Sequence, residues 1–193
     1  MRTVVFASNN AGKIKELQAL LGKGFRVKSA PDFPEIPEVD EDADTFEGNS
    51  AKKARTFAKA TGLWALADDS GLVVDALDGR PGVYSARYAP TDPERIEKLL
   101  GELKDVPVGK RIARFVCVLC LASPEGEERF TKGTCEGVIG FERRGTHGFG
   151  YDPVFVLPNG KTMSELTRDE KSALSHRGHA FRAMLPQLIA AGA

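Results

Sequence analysis

Apolar and polar positions along this chain switch between the helical period and the strand period. Thr3 to Ala7 is a short apolar run ending in Ser8-Asn9-Asn10-Ala11-Gly12, which predicts a strand and a turn. From Lys13 to Leu21 the apolar residues Ile14, Leu17, Leu20 and Leu21 recur at helical spacing. Residues 31–44, rich in proline and acid, read as a loop. Asp44 and Glu47 have capping-box spacing ahead of a second helix over about 45–61. Leu63 to Ala67 predicts a buried strand that ends at Asp68-Asp69, with Ser70-Gly71 as the loop leaving it and strand material again at 72–76.

Arg80 to Tyr88 reads as a turn into a basic, aromatic segment. Asp92-Pro93 predicts an N-cap with proline at the first helical position, opening a helix to about Leu103. Residues 110–122 and 128–140 predict two long strands of a hairpin turning at Ser123 to Glu127. Glycines punctuate a loop from Gly145 to Gly150, and Val154 to Leu157 is a short strand. A last helical stretch over about 168–190 breaks near Ser175–Gly178. Alternating strands and helices followed by a long hairpin predict an α/β fold with a mixed sheet. Nothing repeats, and no linker divides the chain.

Composition narrows the function. A chain of 193 residues with 41% hydrophobic content can bury a sizeable core, as one domain or two small lobes sharing a sheet. Lys+Arg and Asp+Glu both number 27, so the chain lacks the basic excess of a general nucleic-acid binder. A small anionic ligand held by a few placed cations remains open. Three cysteines are too few and too odd for a disulfide framework, which suits a reducing cytoplasm. Cys117 and Cys120 have C-x-x-C spacing inside an apolar strand, where they point to opposite faces and pack as core. No apolar run reaches the length of a membrane span.

Four segments and the double aspartate carry candidate chemistry. Asp68 and Asp69 at the end of a buried run repel each other and resist desolvation. Mg²⁺, which prefers hard oxygen ligands, resolves that conflict, and an acidic turn explains the same residues without a metal. Ser8 to Lys13 lies between strand and helix, where free N–H groups and the Lys13 charge suit phosphate. It is not a Walker A loop, because Ile14 stands where Ser or Thr is required. Asn49 and Lys53, four apart on the second helix, share a face near Phe46 and Phe57, where a lysine also snorkels without a function. Periodicity does not single out one acid among Glu38, Asp40, Glu41, Asp42 and Asp44. Gly148-Phe149-Gly150-Tyr151-Asp152-Pro153 offers an aromatic ring to a base or to the core. Glu170 to Gly178 brings Lys171, His176 and Arg177 together, as directional donors or as a solvated helix end.

In their order, these segments, with Thr45-Phe46, Pro81-Gly82 and Ser85-Ala86-Arg87-Tyr88, resemble the inosine/xanthosine triphosphate pyrophosphatases. The resemblance runs from about residue 3 to residue 180, and Ser50 departs from it where Ala is usual after Asn49. It implies an elongated mixed β-sheet flanked by helices, with residues 1–193 forming a single two-lobed domain around a central nucleotide-binding cleft, in a homodimer. It implies Mg²⁺-dependent conversion of a purine nucleoside triphosphate (ITP, dITP or XTP, in preference to ATP and GTP) to the monophosphate and pyrophosphate. By motif, Asp69 would be the proton acceptor and a metal ligand, with Asp68 and Glu41 as further metal ligands. Ser8, Asn9, Asn10, Ala11, Gly12, Lys13, Ser70, Phe149, Gly150, Tyr151, Asp152, Lys171, His176 and Arg177 would bind the nucleotide, and Lys53 would join Lys13 on the phosphates. The rival readings are a Maf-like pyrophosphatase of modified pyrimidine nucleotides, which Phe149 to Asp152 and Ser175 to Arg177 disfavour, and a non-catalytic nucleotide sensor.

Overall fold

The computed structural model describes residues 2–192, apart from the side chain of Arg168. Its strands are β1 (Arg2–Phe6), β2 (Phe25–Ser29), β3 (Ala65–Val74), β4 (Ile112–Ala122), β5 (Glu128–Ile139) and β6 (Phe155–Val156). They form one sheet in the order β2-β1-β3-β4-β5-β6. The sheet is mixed, as expected: β1 runs parallel to both β2 and β3, while β6 pairs antiparallel with β5. β2 escaped the sequence pattern because Phe-Arg-Val-Lys-Ser is short and mostly polar, as an edge strand can be.

Two expectations are corrected by the backbone. β3 does not stop at the double aspartate but runs unbroken through Asp68-Asp69-Ser70-Gly71. Both carboxylates find partners inside the fold, so the strand carries them without turning out to water. The helix caps also lie one residue away from the acids expected there. α2 (Phe46–Thr61) is capped by Thr45, whose hydroxyl accepts from the Gly48 amide. α3 (Asp92–Glu102) is capped by Thr91 in a reciprocal box with Glu94. A threonine hydroxyl in each case meets the third helical N–H, which leaves the acids beside it for other work.

The chain divides into two compact units. The first comprises Met1–Asp69, Cys117–Gly133 and His179–Ala193. Strand alternation sorts its side chains onto two faces. Val4, Phe6, Leu66, Cys117 and Leu119 meet Leu17 and Leu21 of α1 (Ala11–Leu21) and Phe181, Met184 and Leu188 of α5 (His176–Ala191). Val5, Ala65, Ala67 and Cys120 meet Ala51, Ala54, Phe57 and Ala58 of α2. Cys117 and Cys120 therefore pack in different halves of the core, and all three cysteines are buried thiols outside any disulfide.

The second unit comprises Ser70–Val116 and Thr134–Gly178, and includes α4 (Arg168–Leu174). Its core gathers Leu72, Val74, Leu99, Leu103, Phe115, Tyr151, Phe155 and Met163. Arg111 is 3% exposed and ties this core together, donating to the carbonyls of Leu103, Ile139 and Gly140 at 2.7–2.9 Å. A buried guanidinium is tolerated when all three of its nitrogens donate in this way. Among the described residues, no helix is long and apolar enough to cross a membrane.

Candidate active site

In the first unit, strand alternation hands the two aspartates to different helices. Asp68 shares the Leu66 face and meets Lys13 of α1, whose Nζ lies 2.7 Å from its carboxylate. Asp69 shares the Ala65 and Ala67 face and meets Asn49 of α2, whose side-chain amide donates to its Oδ2 at 3.0 Å. Asp68 and Asp69 are 2% and 7% exposed, so these partners replace most of their hydration.

Lys13 arrives there because Asn10 caps α1, its side chain accepting from the amides of Gly12 and Lys13. The remainder of this turn, Ser8, Asn9 and Ala11, leads from β1 into the helix start, with Ser8 Oγ accepting from the Asn10 amide. One turn beyond Asn49, Lys53 projects from the same side of α2, donating to the carboxylate of Glu41 and to the main-chain carbonyl of Asp68 at 2.7 Å. Lys53 is therefore no snorkelling surface residue. Burial pulls its ammonium pKa down, but the charges of Asp68, Glu41 and Asp69 outweigh that and hold it above 10.5. Glu41 emerges from the acidic loop by this contact, while Asp42 pairs with the more exposed Lys52.

Sequence reasoning flagged Asn49 but gave it no role. Its side chain is fully buried, and its Oδ1 accepts from the Ala43 amide at 2.9 Å. Because Ala43 N–H can only donate, the Asn49 orientation is fixed and its NH₂ faces Asp69. The acidic loop and Asp69 are thus joined through one amide.

Three carboxylates face two ammonium groups here, an excess of one negative charge. Asp68, Asp69 and Glu41 offer the hard oxygens that Mg²⁺ prefers. Among the described residues, no three carboxylate, imidazole or thiol groups converge into a preformed metal cage. The donor chemistry fits a hard cation, which would compete with Lys13 and Lys53 for the carboxylate oxygens of Asp68 and Glu41.

In the second unit, the glycine-rich loop presents Phe149, 57% exposed, beside two cations. Lys171 Nζ lies 5.0 Å and Arg177 Cζ 6.0 Å from its ring centroid. Lys171 also pairs with Asp152, whose Oδ2 accepts from the Phe149 amide at 3.0 Å. Gly148 adopts φ of 86°, and a Cβ there would stand 2.1 Å from Asp152 Oδ2, so only glycine fits.

The neighbouring residues make framework contacts. The Gly150 amide donates to Asp92 Oδ2 at 2.7 Å. Tyr151 is 5% exposed, and its hydroxyl donates to the Ser85 carbonyl. Burial raises the Tyr151 pKa, so the phenol stays protonated as that donor. Ser85 in turn accepts from the Leu72 amide and donates to Gly82, bracing the strand just past Ser70. His176 and Arg177 are each 8% exposed, and the His176 ring stacks on Phe115 at 5.0 Å. The first unit thus gathers Lys13, Glu41, Asn49, Lys53, Asp68 and Asp69, and the second gathers Phe149, Asp152, Lys171 and Arg177. Ser85 lies in a motif that carries the resemblance but takes no role from it, and Asp92 reads from sequence only as a helix cap.

Known proteins match this pattern over nearly the full chain. A Halalkalibacterium halodurans protein named dITP/XTP pyrophosphatase is 50% identical over 187 residues, covering 94% of this chain and 96% of that protein. A Geobacter sulfurreducens protein of the same name is 52% identical over 186 residues, with 94% of each chain covered. The solved structure of a HAM1 protein from Coxiella burnetii superposes with a TM-score of 0.92 at 42% identity, covering 98% of this chain and 100% of that one. The model of the Ham1 family matches residues 4–187, and the chain belongs to that family.

Proposed function

We propose that this protein hydrolyses deaminated purine nucleoside triphosphates (ITP, dITP and XTP) to the monophosphate and pyrophosphate, clearing them from the cytoplasmic nucleotide pool. The observation that carries this reading is the buried Lys13–Asp68 and Asn49–Asp69 pairing, with Lys53 bonded beside it to the Asp68 carbonyl. Relatives about 50% identical over nearly the whole chain, named dITP/XTP pyrophosphatase, support the substrate class.

In the mechanism, Asp69 orients a water and takes its proton as that water attacks the α-phosphorus. Asn49 donates to Asp69 Oδ2 and so fixes the orientation of that carboxylate. Lys13 and Lys53 leave their carboxylate partners, bind the β- and γ-phosphates, and stabilise the departing pyrophosphate. Mg²⁺, held by Asp68, Asp69 and Glu41, would supply charge neutralisation at the reacting phosphates. Ser8, Asn9, Asn10 and Ser70 add polar donors on the phosphate side.

Phe149 stacks on the purine, with Lys171 and Asp152 fixing the loop behind it. Arg177 and His176 donate to the 6-carbonyl, which adenine lacks. An amino group there would leave buried donors unpaired, and such mismatches are costly. The active form is a homodimer. Pyrophosphate release from dITP, XTP, dATP, dGTP and a modified pyrimidine triphosphate, with and without Mg²⁺, tests the proposal. We expect Mg²⁺-dependent turnover of dITP and XTP far above the rest. Equal kcat/KM for dATP and dITP sinks the specificity, and binding without turnover supports a sensor instead.

A further inference from the structure

We infer that Asp92 is a positioning residue for the base platform, clamping the Phe149 loop from the N-terminus of α3. This rests on the reading above, in which Phe149 receives the purine.

The sequence casts Asp92 as a helix cap, yet Thr91 and Glu94 perform that task between them. The Asp92 carboxylate is spared, and it divides its two oxygens. Oδ1 takes Arg95 Nη1 at 2.6 Å, and Oδ2 takes the Gly150 amide at 2.7 Å. Arg95 is itself anchored, its Nε donating to the Ala89 carbonyl at 2.9 Å. The carboxylate is thus held on one side while it holds the loop on the other.

Three consecutive loop residues are tethered in this unit, each to a different group. The Phe149 amide is held by Asp152, which α4 secures through Lys171. The Gly150 amide is held by Asp92, and the Tyr151 hydroxyl by the Ser85 carbonyl. Gly150 sits at φ of 61°, which glycine adopts without strain, but with no side chain of its own to hold it there. A ring 57% exposed has little packing of its own to fix it. Beyond its contacts with Lys171 and Arg177, its orientation depends on these loop tethers, and Asp92 supplies the one from α3. A platform held ready in the free protein binds a base without first being ordered.

The tests are steady-state kinetics on dITP and amide hydrogen exchange of the 148–152 segment, for wild type, Asp92→Ala and Thr91→Ala. Thr91→Ala weakens the same helix end but leaves Gly150 its partner, so it separates a clamp from a general loss of α3. Removing a hydrogen bond to a partly exposed carboxylate should raise KM for Asp92→Ala by about tenfold while kcat moves by less than about twofold. Gly150 should exchange faster in Asp92→Ala and at the wild-type rate in Thr91→Ala. The inference is overturned if Asp92→Ala keeps the wild-type KM and Gly150 protection, or if Thr91→Ala changes both as much. The exchange measurement reads the clamp whether or not dITP is the substrate. Failure of the wild type to hydrolyse dITP, with the exchange result intact, would instead count against the proposed function.

Discussion

Replacing Lys53 by methionine removes one charge from the Lys13, Lys53, Glu41 and Asp68 cluster while keeping the length of the stem. The Lys53 side chain is 14% exposed, and its ammonium bonds both Glu41 and the Asp68 carbonyl. The variant strands those two acceptors. Breaking a buried ion pair costs about 3–5 kcal/mol, and the 34% exposure of Glu41 lets water recover part of it. The lower end, about 3 kcal/mol, is therefore expected, a fall in Tm of about 6–12 °C for a chain of this size. Lys53→Met with Glu41→Gln should cost less than the sum of the two single changes, because the double variant leaves no carboxylate unpaired. Thermal unfolding of the four proteins measures this. Turnover of dITP should fall by about 10²–10³-fold in Lys53→Met, as it does when a preorganised charge stabiliser is lost. A Tm within about 1 °C of wild type, or strict additivity with Glu41→Gln, would refute the reasoning.

Other expectations follow from single contacts. Asp69→Asn should lower kcat by about 10³-fold with little change in nucleotide affinity, and near wild-type turnover would remove Asp69 from the role of base. Gly148→Ala forces a Cβ onto Asp152 Oδ2 at a positive φ, so KM for dITP should rise at least about tenfold and stability should fall by about 1–3 kcal/mol, read from kinetics and denaturant titration. Burial pushes the Cys120 thiol up to about 12 and the Cys135 thiol up to about 11, so at pH 8 both stay in the unreactive protonated form. Native protein should resist alkylation there and react at all three cysteines once unfolded, and rapid native labelling would contradict that burial.

The sequence made the long amphipathic and apolar segments legible. Helices at Ala11–Leu21 and Phe46–Thr61 and the β4–β5 hairpin appear where periodicity places them. It misread positions where a polar residue has a tertiary partner. Asp68 and Asp69 looked like a strand end because an acid is normally solvated, and only the arrival of Lys13 and Asn49 lets β3 continue through them. Asp92 reads as a cap because it precedes Pro93, but the Thr91 hydroxyl takes the helical N–H from one residue earlier. Periodicity does not separate Glu41 from its acidic neighbours; the family resemblance points to it, and in the fold Lys53 pairs with it. Tyr151 and Asp152 are adjacent in the motif, yet the fold gives one a buried carbonyl and the other a lysine. Spacing conveys which residues travel together, and tertiary contact decides which of them face a ligand.

The central claim is that water activated by Asp69 attacks the α-phosphorus of a deaminated purine triphosphate. Hydrolysing dITP in H₂¹⁸O and locating the label by mass spectrometry tests it most directly. The account predicts one ¹⁸O in dIMP and none in pyrophosphate. Label in pyrophosphate, or in free phosphate released with dIDP, would contradict it.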